Sequence, residues 1–181
     1  MKTEGFLKEQ KVDKFLYRGV FGSQKKGGVI NNAFNLNLKN IANTHVVKLG
    51  DELLALWEAA GPHSLDPNNL ETNGLTTLQG VLKKNEAFSA HPKVDFNSNS
   101  ADEVLITFGV QTGPTSTIRL MEFSNAGKNS GKILFDRKDK LKGFAFLHDF
   151  AITKNWAIFL QNAIDFNPLP FVMGQKGAAQ C

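Results

Sequence analysis

Cysteine is nearly absent from this sequence. There is one, Cys181, and it is the last of 181 residues. No disulfide can close within the chain, so packing and hydrogen bonds must hold the fold, as suits a reducing compartment. Long apolar runs are absent too. No stretch approaches the ~20 apolar residues that a membrane-spanning helix needs, and the opening MKTEGFLKEQ has no apolar segment of a secretory signal. Together these set a cytoplasmic location as the expectation. Clustered charge is missing as well: the net charge is +4, but the basic residues are scattered, with short pairs such as Lys25-Lys26 and Lys83-Lys84. A nucleic-acid binder would gather them into a stripe beside stacking aromatics. Nucleic acid is therefore not an expected partner, whereas a weak attraction to an anionic lipid surface is compatible with this charge. The glycine-rich phosphate loops, H-E-x-x-H and C-x-x-C are also lacking.

What is present is phenylalanine, 15 residues against a single tyrosine, and that is apolar surface for a core or for a greasy binding site. With 41% hydrophobic and 21% charged residues the chain suits one globular domain and not a disordered segment. Turn signals recur at short intervals: Gly50-Asp51, Asp66-Pro67-Asn68-Asn69, Gly74, Gly80, Thr112-Gly113-Pro114 and Asn125-Ala126-Gly127. Between them lie short runs of β character, THVVKL, EVLITFGV, STIRLMEF, GKILFD, GFAFLHDFAI and WAIFLQ. That rhythm points to a sandwich, a barrel or a propeller. HSLDPNNLETNG reads as a hairpin closed by its DPNN turn. DELLALWEAA (51–60) is two-sided: its composition favours a helix, yet VVKLGDELLALW also fits a hairpin with a Gly-Asp turn, and periodicity does not decide. The first 25 residues read as mixed and polar, SQKKGGV (23–29) as a loop, and the tail GQKGAAQC as frayed.

Four histidines carry the candidate chemistry: His45, His63, His91 and His148. His91 lies in EAFSAHPKVD, between a small-residue turn and a proline. His148 lies in GFAFLHDFAITKNWAIF, read as an apolar strand. An imidazole there has two ring nitrogens to satisfy. Binding a metal through one and donating the other to a carboxylate would do it; so would a hydrogen bond to Asp149 or to the backbone.

Three segments, LKNIANTHVVKLGDELLALWEAAGPHSLDPNNLETNG (38–74), AFSAHPKVD (87–95) and HDFAITKNWAIFLQ (148–161), occur in one order and together resemble the carotenoid cleavage oxygenases. The resemblance runs from about Thr3 to Met173 and is nearest to the bacterial apocarotenoid oxygenases. It implies an all-β chain, with residues 1–181 forming two to three blades of a seven-bladed β-propeller, and it tips residues 51–60 toward strand. The N-terminal portion and C-terminal half of the family domain have no counterpart here. It also implies a non-haem dioxygenase with Fe(2+) on the propeller axis, held by four histidines from different blades, with glutamates behind three of them. Dioxygen would split a double bond of a carotenoid or apocarotenoid into two carbonyl products, without an organic cofactor.

On this resemblance His91 is the first metal ligand and His148 the second. Glu58 accepts a hydrogen bond from an iron-ligating imidazole, that of His148, which also gives a carboxylate on an apolar strand its partner. His45 stands where the family commonly has asparagine and is expected to be an ordinary strand residue. His63, beside Gly61-Pro62, is expected to be exposed. The apolar stretch Phe166, Leu169, Phe171, Val172 and Met173 falls near the family's tunnel mouth, where it would touch a membrane peripherally; core packing is the alternative. No histidine follows His148. The isolated chain is therefore expected to be inactive, and the competing reading is a truncated non-catalytic remnant or apolar-ligand-binding module.

Overall fold

The computed structural model describes residues 1–19, 26–34, 38–95, 103–113, 115–163 and 167–176. The chain divides into two compact units. One is Ala42–Ile164 with Met1; the other is Lys2–Ile41 with Asp165–Cys181.

The larger unit opens with a hairpin of β1 (His45–Leu49) and β2 (Glu52–Leu56). Leu49 pairs with Glu52, which leaves Gly50 and Asp51 as a two-residue turn. Gly50 has φ 63 and Asp51 is not among the positive-φ residues, a geometry that asks for glycine at the first turn position. The hairpin thus prevails over helix propensity in residues 51–60. β3 (His63–Leu65) and β4 (Thr72–Leu75) complete a sheet of order β1-β2-β3-β4. Between them, the Asp66 carboxylate accepts the Asn68 N–H at 2.7 Å and the Asn69 amide oxygen accepts the Glu71 N–H at 2.8 Å. These side chains satisfy the turn's backbone locally.

A second sheet follows in the same manner: β5 (Lys93–Asp95), β6 (Val104–Gln111), β7 (Thr117–Ser124) and β8 (Ile133–Lys140), in sequential order. A hairpin of β9 (Phe150–Ile152) and β10 (Ala157–Phe159) comes last. All pairings between these strands are antiparallel. A four-stranded antiparallel sheet is the unit of a propeller. The described residues therefore hold two blades and the beginning of a third, and the chain is part of a β-propeller.

Strand alternation sorts the core into layers. Leu105 of β6 joins Met121 and Phe123 of β7, Phe88, and Leu54 and Leu56 of β2 in one buried cluster that bonds the first sheet to the second. Phe108, from the opposite face of β6, packs with Ile118, Leu147 and Phe150. Its ring meets those of Phe150 and Phe159 edge-on, with centroids 5.2 and 5.1 Å away. A lone two-stranded hairpin is marginal in water, and this aromatic contact is what seats β9 and β10.

Two expectations change. In GFAFLHDFAI only Phe150–Ile152 is strand; residues 143–149 run irregularly. Side chains serve their backbone in place of a ladder: the Ala145 N–H donates to Ser116 Oγ at 2.9 Å, and Gln161 Nε2 donates to the Lys142 and Phe144 carbonyls. His63, expected at the surface, is buried at 4% exposure. It sits in an interior strand between Ala55 and Leu75, and the Gly61-Pro62 bend that suggested a loop leads directly into that strand. Burial disfavours the charged form and pushes the His63 pKa below its ordinary value.

The smaller unit is built differently. α1 (Glu4–Val12) is capped by Thr3, whose Oγ1 accepts the Phe6 N–H at 3.3 Å, and closes at Asp13 with φ 50. Two short helices follow, α2 (Gly28–Asn32) and α3 (Leu169–Val172). At the centre lies Arg18, fully buried. It donates to the carbonyls of Asn32 at 3.3 Å, Phe171 at 2.8 Å and Lys176 at 2.6 Å, and its guanidinium stands 4.1 Å over the Phe171 ring. Residues 23–25 of the expected loop, Phe166, and residues 177–181 of the tail lie outside the described residues.

Candidate metal centre

The two blade repeats put their histidines at equivalent places. His91 stands two residues ahead of β5, and His148 two residues ahead of β9. Each therefore leads into the first strand of a sheet. The corresponding position ahead of β1 is Asn43. Glu58 lies two residues beyond the end of β2.

Three backbone hydrogen bonds fix the His91 segment. The Phe88 N–H donates to the Ala60 carbonyl at 3.1 Å, tying this segment to the one that carries Glu58. The Ser89 N–H donates to the Phe108 carbonyl of β6 at 2.6 Å. The His91 N–H then donates to Ser89 Oγ at 3.0 Å. Between these bonds, the side chains of Phe88 and Ala90 are wholly buried.

Glu58, His91 and His148 converge. Each offers one nitrogen or carboxylate oxygen, and these atoms all lie within 4.8 Å of one another. The imidazoles meet edge to face at 4.5 Å between centroids. His148 Nδ1 lies 2.7 Å from Glu58 Oε1, so its N–H donates to the carboxylate. That bond fixes the tautomer and leaves Nε2 as the free lone pair. On His91, Nε2 is buried and has no hydrogen-bond partner. A buried ring nitrogen without a partner is costly, and a cation beside it would remove the cost. The donor set fits a divalent transition metal: imidazole is a ligand for zinc, copper, iron and nickel alike.

Asp149, the other carboxylate near His148, is engaged elsewhere. It pairs with Lys93 Nζ at 2.8 Å and accepts the Phe150 N–H at 2.8 Å. Burial alone would raise its pKa, but Lys93, the Phe150 N–H and the field of His91 outweigh burial and hold the carboxyl below its ordinary value. Lys93 was invisible to sequence reasoning, because nothing in the spacing pairs it with Asp149.

The remaining candidates lie apart. His45 is exposed at the start of β1, and His63 shares a face with Ala55. Among the described residues, Glu58, His91 and His148 are the only such cluster of potential ligands. In the apolar stretch, Leu169 is exposed, Val172 and Met173 are half-buried, and Phe171 is buried beneath Arg18.

Comparisons with known proteins place the chain in one family. The family model described as "Retinal pigment epithelial membrane protein" matches residues 1–181. The chain is 45% identical over 183 residues to the apocarotenoid-15,15'-oxygenase of Synechocystis, covering 100% of this chain and 36% of that protein. It is 33% identical over 138 residues to the carotenoid 9,10(9',10')-cleavage dioxygenase of Crocus sativus, covering 74% of this chain and 23% of that one. The solved structure of the cobalt-substituted Synechocystis apocarotenoid oxygenase superimposes with a TM-score of 0.94 at 45% identity, over 100% of this chain and 37% of that chain. The chain thus spans roughly a quarter to a third of the length of these relatives.

Proposed function

This chain belongs to the retinal pigment epithelial membrane protein and carotenoid oxygenase family, and on that premise we propose that it supplies two imidazoles of a ferrous-iron site that cleaves a double bond of an apocarotenoid or carotenoid with dioxygen. One observation carries the reading: the buried, unpartnered Nε2 of His91 beside a His148 whose other nitrogen is held by Glu58. When bound, iron would supply the activation of dioxygen. The chain's own residues do the rest. His91 and His148 would hold the ion, and Glu58 keeps His148 in one tautomer and raises its basicity. The apocarotenoid is favoured as substrate because the identity to the apocarotenoid relative, 45%, exceeds the 33% to the carotenoid one.

Iron itself is the finer part of the proposal, since imidazoles accept several metals. Reconstitution with Fe(II), Co(II) and Zn(II) in parallel tests it. The expected result is that all three are retained, that His91→Ala and His148→Ala lose them, and that only Fe(II) supports oxygen consumption with an apocarotenal in an enzyme with a complete ligand set. Equal metal retention in both variants and wild type would sink the reading.

A second reading has its own support. This chain brings two histidines and one glutamate to the centre, against the four histidines of the resemblance. Residues 1–181 alone should therefore hold iron weakly and turn over no substrate, as a non-catalytic apolar-ligand module. Measurable cleavage of an apocarotenal by this chain would overturn that.

Location enters as cytoplasmic with peripheral membrane contact. No helix among the described residues is long and apolar enough to cross a membrane. Leu169 is the exposed apolar residue of the 166–173 stretch among those described. Liposome co-sedimentation of Leu169→Ser against wild type is the test. Phe171→Ser is unsuitable, because it would empty the place beneath Arg18. Unchanged sedimentation of Leu169→Ser removes the membrane contact.

A further inference from the structure

The geometry points to Gly109 as a positioning residue for the metal centre: we infer that it is the gap in β6 through which the backbone leading to His91 must pass, with Ser89 securing the segment on the far side. This inference rests on the metal-site reading above.

Gly109 lies inside the eight-residue strand β6 and pairs with Arg119 of β7. Its φ is not positive, so its backbone conformation is open to any residue. The constraint is space. A Cβ built on Gly109 would fall 2.1 Å from the Ala87 carbonyl oxygen and 3.0 Å from the Ala87 carbonyl carbon, where ordinary contact begins at 3.4 Å. The obstacle is main chain, so no rotamer change relieves it. One of the two backbones must retreat by roughly 1 Å, twice the ~0.5 Å tolerance of a preorganised site.

The Ala87 side is the one that yields. β6 is laddered to β7 along its whole length and to β5 at three residues. The segment from Ala87 to Ala90 makes no ladder of its own. It is held by the Phe88 bond to Ala60 and the Ser89 bond to Phe108, and it ends in the Ser89 Oγ bond to the His91 N–H. The Ser89 N–H is bonded to the carbonyl of the very peptide that joins Phe108 to Gly109. A displacement at Ala87 therefore strains the bond that aligns His91. The Glu58–His148 pair has its own 2.7 Å contact and feels the displacement only through the Phe88 bond to Ala60 and the edge of the His91 ring. The predicted damage is unequal: His91 moves more than His148.

The experiment uses the whole chain and Co(II) as the probe metal, read by absorption titration, together with imidazole NMR of both histidines. Gly109→Ala is expected to stay folded by circular dichroism, to shift the His91 ring resonances more than those of His148, which touches the His91 ring, and to weaken Co(II) binding on the order of tenfold to a hundredfold. A folded Gly109→Ala with wild-type Co(II) affinity and unmoved His91 resonances overturns the inference. Should Gly109→Ala fail to fold, Ser89→Ala decides. It introduces no clash and removes only the acceptor of the His91 N–H, so a shifted His91 ring and a severalfold loss of Co(II) affinity are expected, and no change in either refutes the device. Should the wild-type chain bind no Co(II), the metal reading fails by itself; the His91 ring shift then still decides for or against Gly109, because it is read without metal.

Discussion

The two units of this molecule solve the same problem by opposite means. The larger one buries hydrocarbon: Leu54, Leu56, Phe88, Leu105, Met121 and Phe123 in one layer, Phe108, Leu147 and Phe150 in the next. The smaller one is organised around polar groups. Arg18, Asn32, Thr3 and Glu9 are buried there, and their partners are largely backbone atoms. Sheets offer flat apolar faces that alternation can fill. Three short helices and connecting segments offer few such faces and many unpaired carbonyls, and one guanidinium with five donors can serve several at once. The lesson is that in the smaller unit the buried polar groups answer the backbone: where no ladder serves the carbonyls, a guanidinium does.

Removing Phe108 strikes the first solution hardest. Phe108→Ala should destabilise the larger unit by about 3–5 kcal/mol, and with the ring gone β9 and β10 should lose amide-exchange protection first. Uniform loss across both sheets would mean that the hairpin does not depend on this ring.

Arg18→Leu attacks the second solution. It keeps volume but strands the carbonyls of Asn32, Phe171 and Lys176, at a cost of about 2–3 kcal/mol. Limited proteolysis should then release the C-terminal segment while the sheets stay protected. If the variant resists protease like wild type, the buried guanidinium is not what organises this unit.

Glu58→Gln separates site from stability. Both units should melt as in wild type, while metal affinity falls on the order of tenfold to a hundredfold, because a neutral amide still accepts from His148 Nδ1 but no longer raises its basicity. An unchanged metal titration would remove Glu58 from the site.

Acid sharpens the comparison with the smallest effects. The folded-state pKa of His63 is depressed by burial. The unfolded chain therefore binds the extra proton first, and the larger unit should begin to lose stability as pH falls below about 6.5, the unfolded value. Glu9 behaves differently. Burial would raise its pKa, but Lys39 at 2.5 Å and the N–H groups of Leu16 and Tyr17 at 2.9 and 3.2 Å hold it below the ordinary value. Its contribution is complete above about pH 4.3 and is lost as pH falls through the folded value. Thermal melts from pH 7 to 3, read by amide exchange in each unit, should show the larger unit softening first. His63→Phe should flatten the upper step and Glu9→Gln the lower one.

The sheets were legible because turn chemistry and alternation are local: Gly50-Asp51 and DPNN announced their hairpins, and the resemblance tipped residues 51–60 the right way. Glu58, His91 and His148 could be named from the family pattern of flanking residues. Their meeting in space could not be read from spacing, since it depends on successive sheets presenting equivalent positions. α1 escaped because it has no strong apolar stripe and rests on its Thr3 cap. His63 was misjudged because Gly61-Pro62 looked like a loop, and neighbours in sequence cannot reveal that β3 is interior. Arg18, Lys93 and Gly109 act on partners far along the chain, for which one sequence carries no signal.

The tryptophans of this chain stand in opposite environments. Trp57, at 7% exposure, is in the interior next in sequence to Glu58, and Trp156, at 73%, is on the loop of the last hairpin with Ile158 and Leu160 also open to water. Their fluorescence should therefore divide into a blue and a red component with separate meanings. A metal arriving beside His148 should quench the blue one. Anything that comes to cover the bare side of that hairpin, whether more chain, another molecule or a lipid, should pull the red one toward shorter wavelength. Two questions about this protein, whether its centre is filled and whether its last hairpin is covered, can thus be followed in one cuvette without a label.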